Sequence, residues 1–238
     1  DGEGNIDFFS DRQPIDGDRA DIDVDLIEKQ KKQLYRMEEE INHKVNALEK
    51  RIQQSARAHI IQEFGEGPVQ VNLELDFSKI DQLQGDDKTK GQIKPQLISI
   101  LLFHDTPHAA WTWLEQIGRH VWDGAEIAWS QAHVVDVVPS HNDPAGSKIE
   151  FIEKGKSEHQ IWTVGLRGQQ SGGLAMYINL QDNKHYHKRE TCVGKVISGF
   201  ETLQRVLEIS RSQNYDISDS GIHIKLVTAT HVAMRGDV

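Results

Sequence analysis

The segment Lys184-His185-Tyr186-His187-Lys188-Arg189 sets three cationic side chains and two imidazoles around one phenol. Two imidazoles at i,i+2 share a face only in a strand, and a metal ion held there would meet three neighbouring positive charges. The loop therefore reads as a basic, aromatic contact surface suited to the acidic tail of a neighbouring subunit or to an acidic partner peptide, and no metal is expected. Other candidates for metal or phosphate chemistry are weaker. His104 and His108 flank a helix start and read as capping or surface groups, while Gly172-Gly173 is a turn before a strand rather than a phosphate cradle. The one cysteine, Cys192, excludes an internal disulfide framework and a Cys-based zinc site. No cofactor is expected.

The elements that must position these groups fall into three stretches. Residues 1–24 are acidic and without periodicity, and read as a disordered interaction tail. Residues 1–25 carry nine acids against Arg12 and Arg19, a net charge of -7 out of the chain's -10. That placement argues against nucleic acid, which needs clustered Lys and Arg. From 25 to 65 the spacing predicts one long amphipathic helix, with Asp25 as cap, Glu28 in capping-box position and Gly65, Gly67 and Pro68 as the stop. Its stripe Leu34, Met37, Ile41, Val45, Leu48, Ile52, Ala56, Ile60 repeats near 11 residues, and about 40 residues extend ~60 Å. Self-association or docking on a partner helix through Leu34, Ile41, Val45, Leu48 and Ile52 is the expected way to cover it, with packing back on its own domain as the alternative.

From 68 to 234 the period shortens to two. Val69, Val71, Leu73, Leu75 and Phe77 alternate strictly. Further strands are expected at 97–103, 125–129, 133–138, 149–152, 162–166, 174–179, 191–197 and 222–234. A helix begins at Pro107, capped by Asp105 or Thr106, and another runs from Phe200 to Ile209. Trp111 and Trp113 lie two apart on the first of these, so both cannot be fully buried. Many strands with two helices predict a mainly β protein, a closed barrel. No apolar run approaches the ~18–20 residues of a membrane span. The opening on Asp1 reads as a processed product, and the stem-like helix fits a luminal compartment or organelle reached before processing.

Ala175-Met176-Tyr177-Ile178-Asn179, followed by Val193-Gly194-Lys195-Val196 and the Gly199-Phe200 turn into a helix, resembles the C-terminal half of a cyclophilin-type peptidyl-prolyl isomerase. Val121-Trp122-Asp123-Gly124 is similar to the entry into that family's catalytic strand. The resemblance covers about 68–234. It implies a cyclophilin-like eight-stranded closed barrel capped by two helices, here preceded by one long α-helix, and a protein or proline-containing peptide as partner.

A prolyl bond rotates over a barrier of ~18–20 kcal/mol, and catalysis needs only tighter binding of the twisted amide. In the family an arginine after a Phe-His pair supplies that preference. Here Ile127-Ala128-Trp129 takes that place, and no arginine occurs between Arg119 and Arg167. Trp129 thus stands at the catalytic position, with Arg167 as a substitute donor. The resemblance implies a peptide groove of Trp129, Arg167, Gly168, Ala175, Met176, Tyr177, His185 and Tyr186, with Met176 and Tyr177 as the proline-pocket floor and Glu190 where the family has histidine. These departures imply a binding or scaffolding module with weak or lost isomerase activity; an active but atypical isomerase is the alternative.

Overall fold

The computed structural model describes residues 24–83, 96–131, 133–139, 148–167, 174–212 and 222–232, with the side chains at 24, 82–83, 128–131 and 212 excepted. The acidic tail and Gly168 lie outside these residues, as does the side chain of Trp129. Their elements are α1 (Val24–Phe64), β1 (Val69–Asp76), α2 (Ser78–Leu83), β2 (Leu97–Leu102), α3 (Pro107–Gly118), β3 (Glu126–Gln131), β4 (Val134–Val138), β5 (Thr163–Arg167), β6 (Ala175–Asn179), β7 (Thr191–Ser198), α4 (Phe200–Ser212) and β8 (His223–His231). The short α2 has no periodic signal and was not expected.

The chain divides into two compact units, 1–47 and 48–238. In the first, the helix is described from Val24, and Asp25 stands in its first turn, where a carboxylate favours the positive end of the helix dipole. Its large apolar side chains Leu26, Ile27, Leu34, Met37, Ile41 and Val45 are exposed. Within the second unit the helix is anchored instead. Ala56 is buried, Ile60 and Phe64 pack on the core, and His59 stacks on Trp111 at 5.2 Å. Ile52 is half-buried. Gly65 ends the helix at φ 87, a left-handed cap that glycine adopts without strain.

The eight strands close into a barrel in the order β1-β2-β7-β5-β6-β4-β3-β8. β1 alternates buried and half-buried throughout, as its sequence predicts. It pairs antiparallel with β8 from Val69↔His231 to Asp76↔His223, and this seam joins the beginning of the sheet to its end. α3 packs against β7 and β8, and α4 against β2. Trp113, Leu114 and Ile117 from α3 and Leu203 and Val206 from α4 enter one core with the inward side chains of the strands. Trp113 is fully buried and Trp111 is not, in keeping with their spacing.

Three expectations are corrected. Residues 149–152 are not a strand; they run over the N-terminus of α3. There Glu150 N–H donates to His108 Nε2 at 3.0 Å and Phe151 stacks on the His108 ring, so His108 is buried rather than a surface group. Neither the Asp105 nor the Thr106 side chain caps α3, although Thr106 is the N-cap residue and Pro107 follows it as expected. Thr106 occupies the N-cap without a side-chain bond, and Asp105 accepts from Lys156 N–H at 2.6 Å. The capping acceptor comes from Glu153, whose Oε1 and Oε2 accept His108 N–H at 3.1 Å and Ala109 N–H at 2.6 Å. A helix N-terminus leaves such donors unpaired unless an acceptor arrives, and a distant carboxylate serves as well as a local one. Gln53 of α1 donates to the same carboxylate, and Glu153 N–H donates to Thr191 Oγ1.

Glu153→Ala removes one acceptor from three donors in a buried place. Unpaired buried donors cost about 1–3 kcal/mol, so urea unfolding of the variant should show a loss of about 2 kcal/mol.

Candidate functional site

Alternation along the strands decides which residues reach the barrel's outer wall. In β6, Met176 and Ile178 join the core while Tyr177 between them does not. In β4 the same holds for Val135 and Val137 around Asp136, and in β5 for Val164 and Leu166 around Gly165. The register sets Asp136 and Gly165 on either side of Tyr177, and carries the row outward to Trp129 and Cys192. Met176 is therefore part of the core, not of an outer pocket. The phenol alone reaches the wall, and a Cβ at Gly165 would collide with its ring.

Polar groups close over that phenol. The Arg167 guanidinium stands above the Tyr177 ring, 4.9 Å from its centroid, a cation–π contact. Arg167 Nη1 is 2.7 Å from Asp136 Oδ1 and Nε is 3.4 Å from Glu190 Oε1. His187 stacks on Tyr177 at 4.4 Å and its Nδ1 bonds Glu190 Oε2 at 2.6 Å. The Tyr177 hydroxyl meets His159 Nδ1 at 3.2 Å, and His159 Nε2 reaches the Glu190 carbonyl at 3.1 Å. Beneath them Asn183 donates to Asn179 Oδ1 at 2.8 Å and to the His133 carbonyl at 2.8 Å, fixing the loop after β6. Tyr177 ends wholly buried.

Charge and burial compete at each group. Burial pushes Asp136 up, and the neighbouring Arg167 charge offsets only part of this. Burial also acts to raise Glu190, but hydrogen bonds from His187 and Tyr177 with the charges of His187 and Arg167 outweigh it and hold the carboxyl low. His133 and His159 are both lowered, chiefly by burial, and stay neutral near neutral pH. Tyr177 is raised by burial and then by Glu190, so its hydroxyl remains protonated.

The basic loop splits by face. Tyr186 is 75% exposed and lies 5.6 Å from the His133 ring, and His185 is exposed, whereas His187 turns inward. Lys184 pairs with Glu158 at 3.7 Å. A cleft of 260 Å³ opens beside the cluster, bordered by His159, Lys184, His187, Glu190 and Cys192. Burial pushes the Cys192 thiol up to about 11. Ala175 is half-buried opposite Arg167. Among the described residues no group of three His, Cys, Asp or Glu side chains could hold a metal ion. Asp136, His159 and Gly165 were not anticipated. The lone acid in Val134-Val135-Asp136-Val137-Val138 was a readable signal; His159 had none.

A closed antiparallel eight-stranded barrel with two helices packed on its core is the cyclophilin fold. Crystal structures of a cyclophilin type peptidyl-prolyl cis-trans isomerase of Cryptosporidium parvum are similar to this chain. One matches with a TM-score of 0.52 at 13% identity, over 70% of this chain and 99% of that one. The other, determined in the presence of the dipeptide Ala-Pro, matches with a TM-score of 0.51 at 14% identity, over 69% and 99%. No family model matches the sequence, and no curated protein matches it.

Two measurements check this geometry. Carboxyl ¹³C titration should place Asp136 above the ordinary aspartate midpoint and Glu190 below the ordinary glutamate one. Glu190 then adds stability above the unfolded glutamate pKa, lost as pH falls through its own lower midpoint, whereas Asp136 has the opposite sign. Gly165→Ala should displace the Tyr177 ring, shifting its ring resonances and costing about 1–3 kcal/mol of stability.

Proposed function

We propose that the chain is a cyclophilin-fold binding or scaffolding module for a protein or proline-containing peptide, with prolyl isomerisation weak or lost. Its long helix gathers several copies or docks on a partner helix, and multiple copies raise avidity through effective concentration. The observation that carries this reading is the filled outer wall: Tyr177 is covered by Arg167 and His187, where the resemblance implies an open floor for a proline ring. Catalysis needs a donor that gains contact as the amide twists. Arg167 is instead held between two carboxylates, and withdrawing it would strand both charges. The exposed rim that remains for a partner is His185 and Tyr186.

One observation favours the alternative, an active but atypical isomerase. A guanidinium does stand over the Tyr177 ring, and 29% of the Arg167 side chain is open to solvent. A small opening of the loop carrying His187 would present donor and ring together.

Isomerisation of a short X-Pro peptide decides between them. The intact chain should give the uncatalysed rate, and Arg167→Ala should leave it unchanged. Acceleration by the intact chain that Arg167→Ala abolishes would establish the alternative. Because Arg167→Ala also leaves Asp136 and Glu190 without their cation, it should cost about 2–4 kcal/mol in urea unfolding, part of it recovered when Asp136→Asn is added.

A further inference from the structure

Among the described residues of its own unit nothing covers the apolar side of the first-unit helix: Leu34 is 66% and Ile41 57% exposed. A helix with so many bare large apolar side chains is a contact surface rather than a solvated rod. The charge written along it says what fits. Residues 25–36 carry Lys29, Lys31, Lys32 and Arg36 against Asp25 and Glu28, a net charge of +2. Residues 38–47 carry Glu38, Glu39 and Glu40 against Lys44, a net charge of -2. The sign reverses at Met37.

We propose that this segment pairs with a second copy of the same chain, antiparallel, about a two-fold axis near Met37 and Glu38. The proposal rests on the reading that the helix gathers copies, and adds the partner and its direction. Antiparallel pairing lays the positive half of each helix along the negative half of the other, twice. Parallel pairing lays like on like twice, and charges flanking an apolar seam set orientation in this way. The apolar positions allow it. Ile27, Leu34, Ile41 and Leu48 recur every seven residues, so reversal about that axis sets Leu34 opposite Ile41 and Ile27 opposite Leu48. The interface is self-complementary, as a two-fold contact requires, and closes at two chains. Some 22 residues give a seam of ~33 Å.

The test uses the full chain, whose single native cysteine is buried. Leu34→Cys and Ile41→Cys fall on exposed positions, and the amide spectrum of the barrel serves as the check that each variant is folded. In sedimentation equilibrium the unmodified chain should be a dimer that weakens several-fold on raising salt. Under mild oxidation a mixture of the two variants should cross-link, whereas Leu34→Cys alone should not. Its two copies would lie ~10 Å apart along the axis, beyond disulfide reach. Efficient cross-linking of Leu34→Cys alone would overturn the antiparallel arrangement and leave self-association standing. A monomer at every concentration would overturn both, with the stripe then belonging to a different protein. Neither result bears on the isomerisation assay, so failure of the binding-module reading is seen separately.

Discussion

Closing a sheet on itself leaves no choice about faces. Once β1 pairs with β8, every strand is held on both edges, and a side chain enters the core or stands on the outer wall according to the parity of its position. The apolar inward set fixes that parity. Met176, Ile178, Val135, Val137, Val164 and Leu166 must face in, so Tyr177, Asp136, Gly165 and Arg167 must face out, side by side. The candidate site is a consequence of the core.

What the wall then holds is an electrostatic compromise. Asp136 and Glu190 share one guanidinium; one is destabilised as an anion by burial and the other is stabilised by His187 and Tyr177. Each partner's removal exposes the remaining charges to an apolar setting, which makes the group hard to move and stiffens the surface above the phenol. The wall above the phenol is occupied, and the exposed side chains beside it are His185 and Tyr186.

Most of the barrel was legible because strand periodicity is a local property of sequence. Val69 to Phe77 alternates as its sequence predicts, Ala175 to Asn179 is a strand whose Met176 faces the core rather than the outer wall, and the Val-Gly-Lys-Val run located β7. Several misses are long-range. Ile149–Ile152 looks apolar enough for a strand, but its backbone is taken by His108 and α3. Capping signals in sequence are local, whereas the acceptor for α3, Glu153, arrives from 45 positions away. His187 and His185 are chemically identical two residues apart, and only the fold says that one is packed under Arg167's carboxylate partner and the other is in solvent. In the helix, one continuous stripe hides a change of circumstance: Leu34 and Ile41 are bare while Ala56 is buried.

The β1–β8 seam also sets an order of events. Glu74 and Lys225, paired across it, are 151 residues apart in sequence. At ~5–20 residues per second of synthesis, the barrel's first strand waits on the order of 10–30 s for its last to emerge. The long helix needs only neighbouring residues and forms as soon as it is made. Throughout that interval the nascent chain carries a finished arm and an open sheet. The unpaired edge of β1 is then the part of the nascent chain most in need of a chaperone.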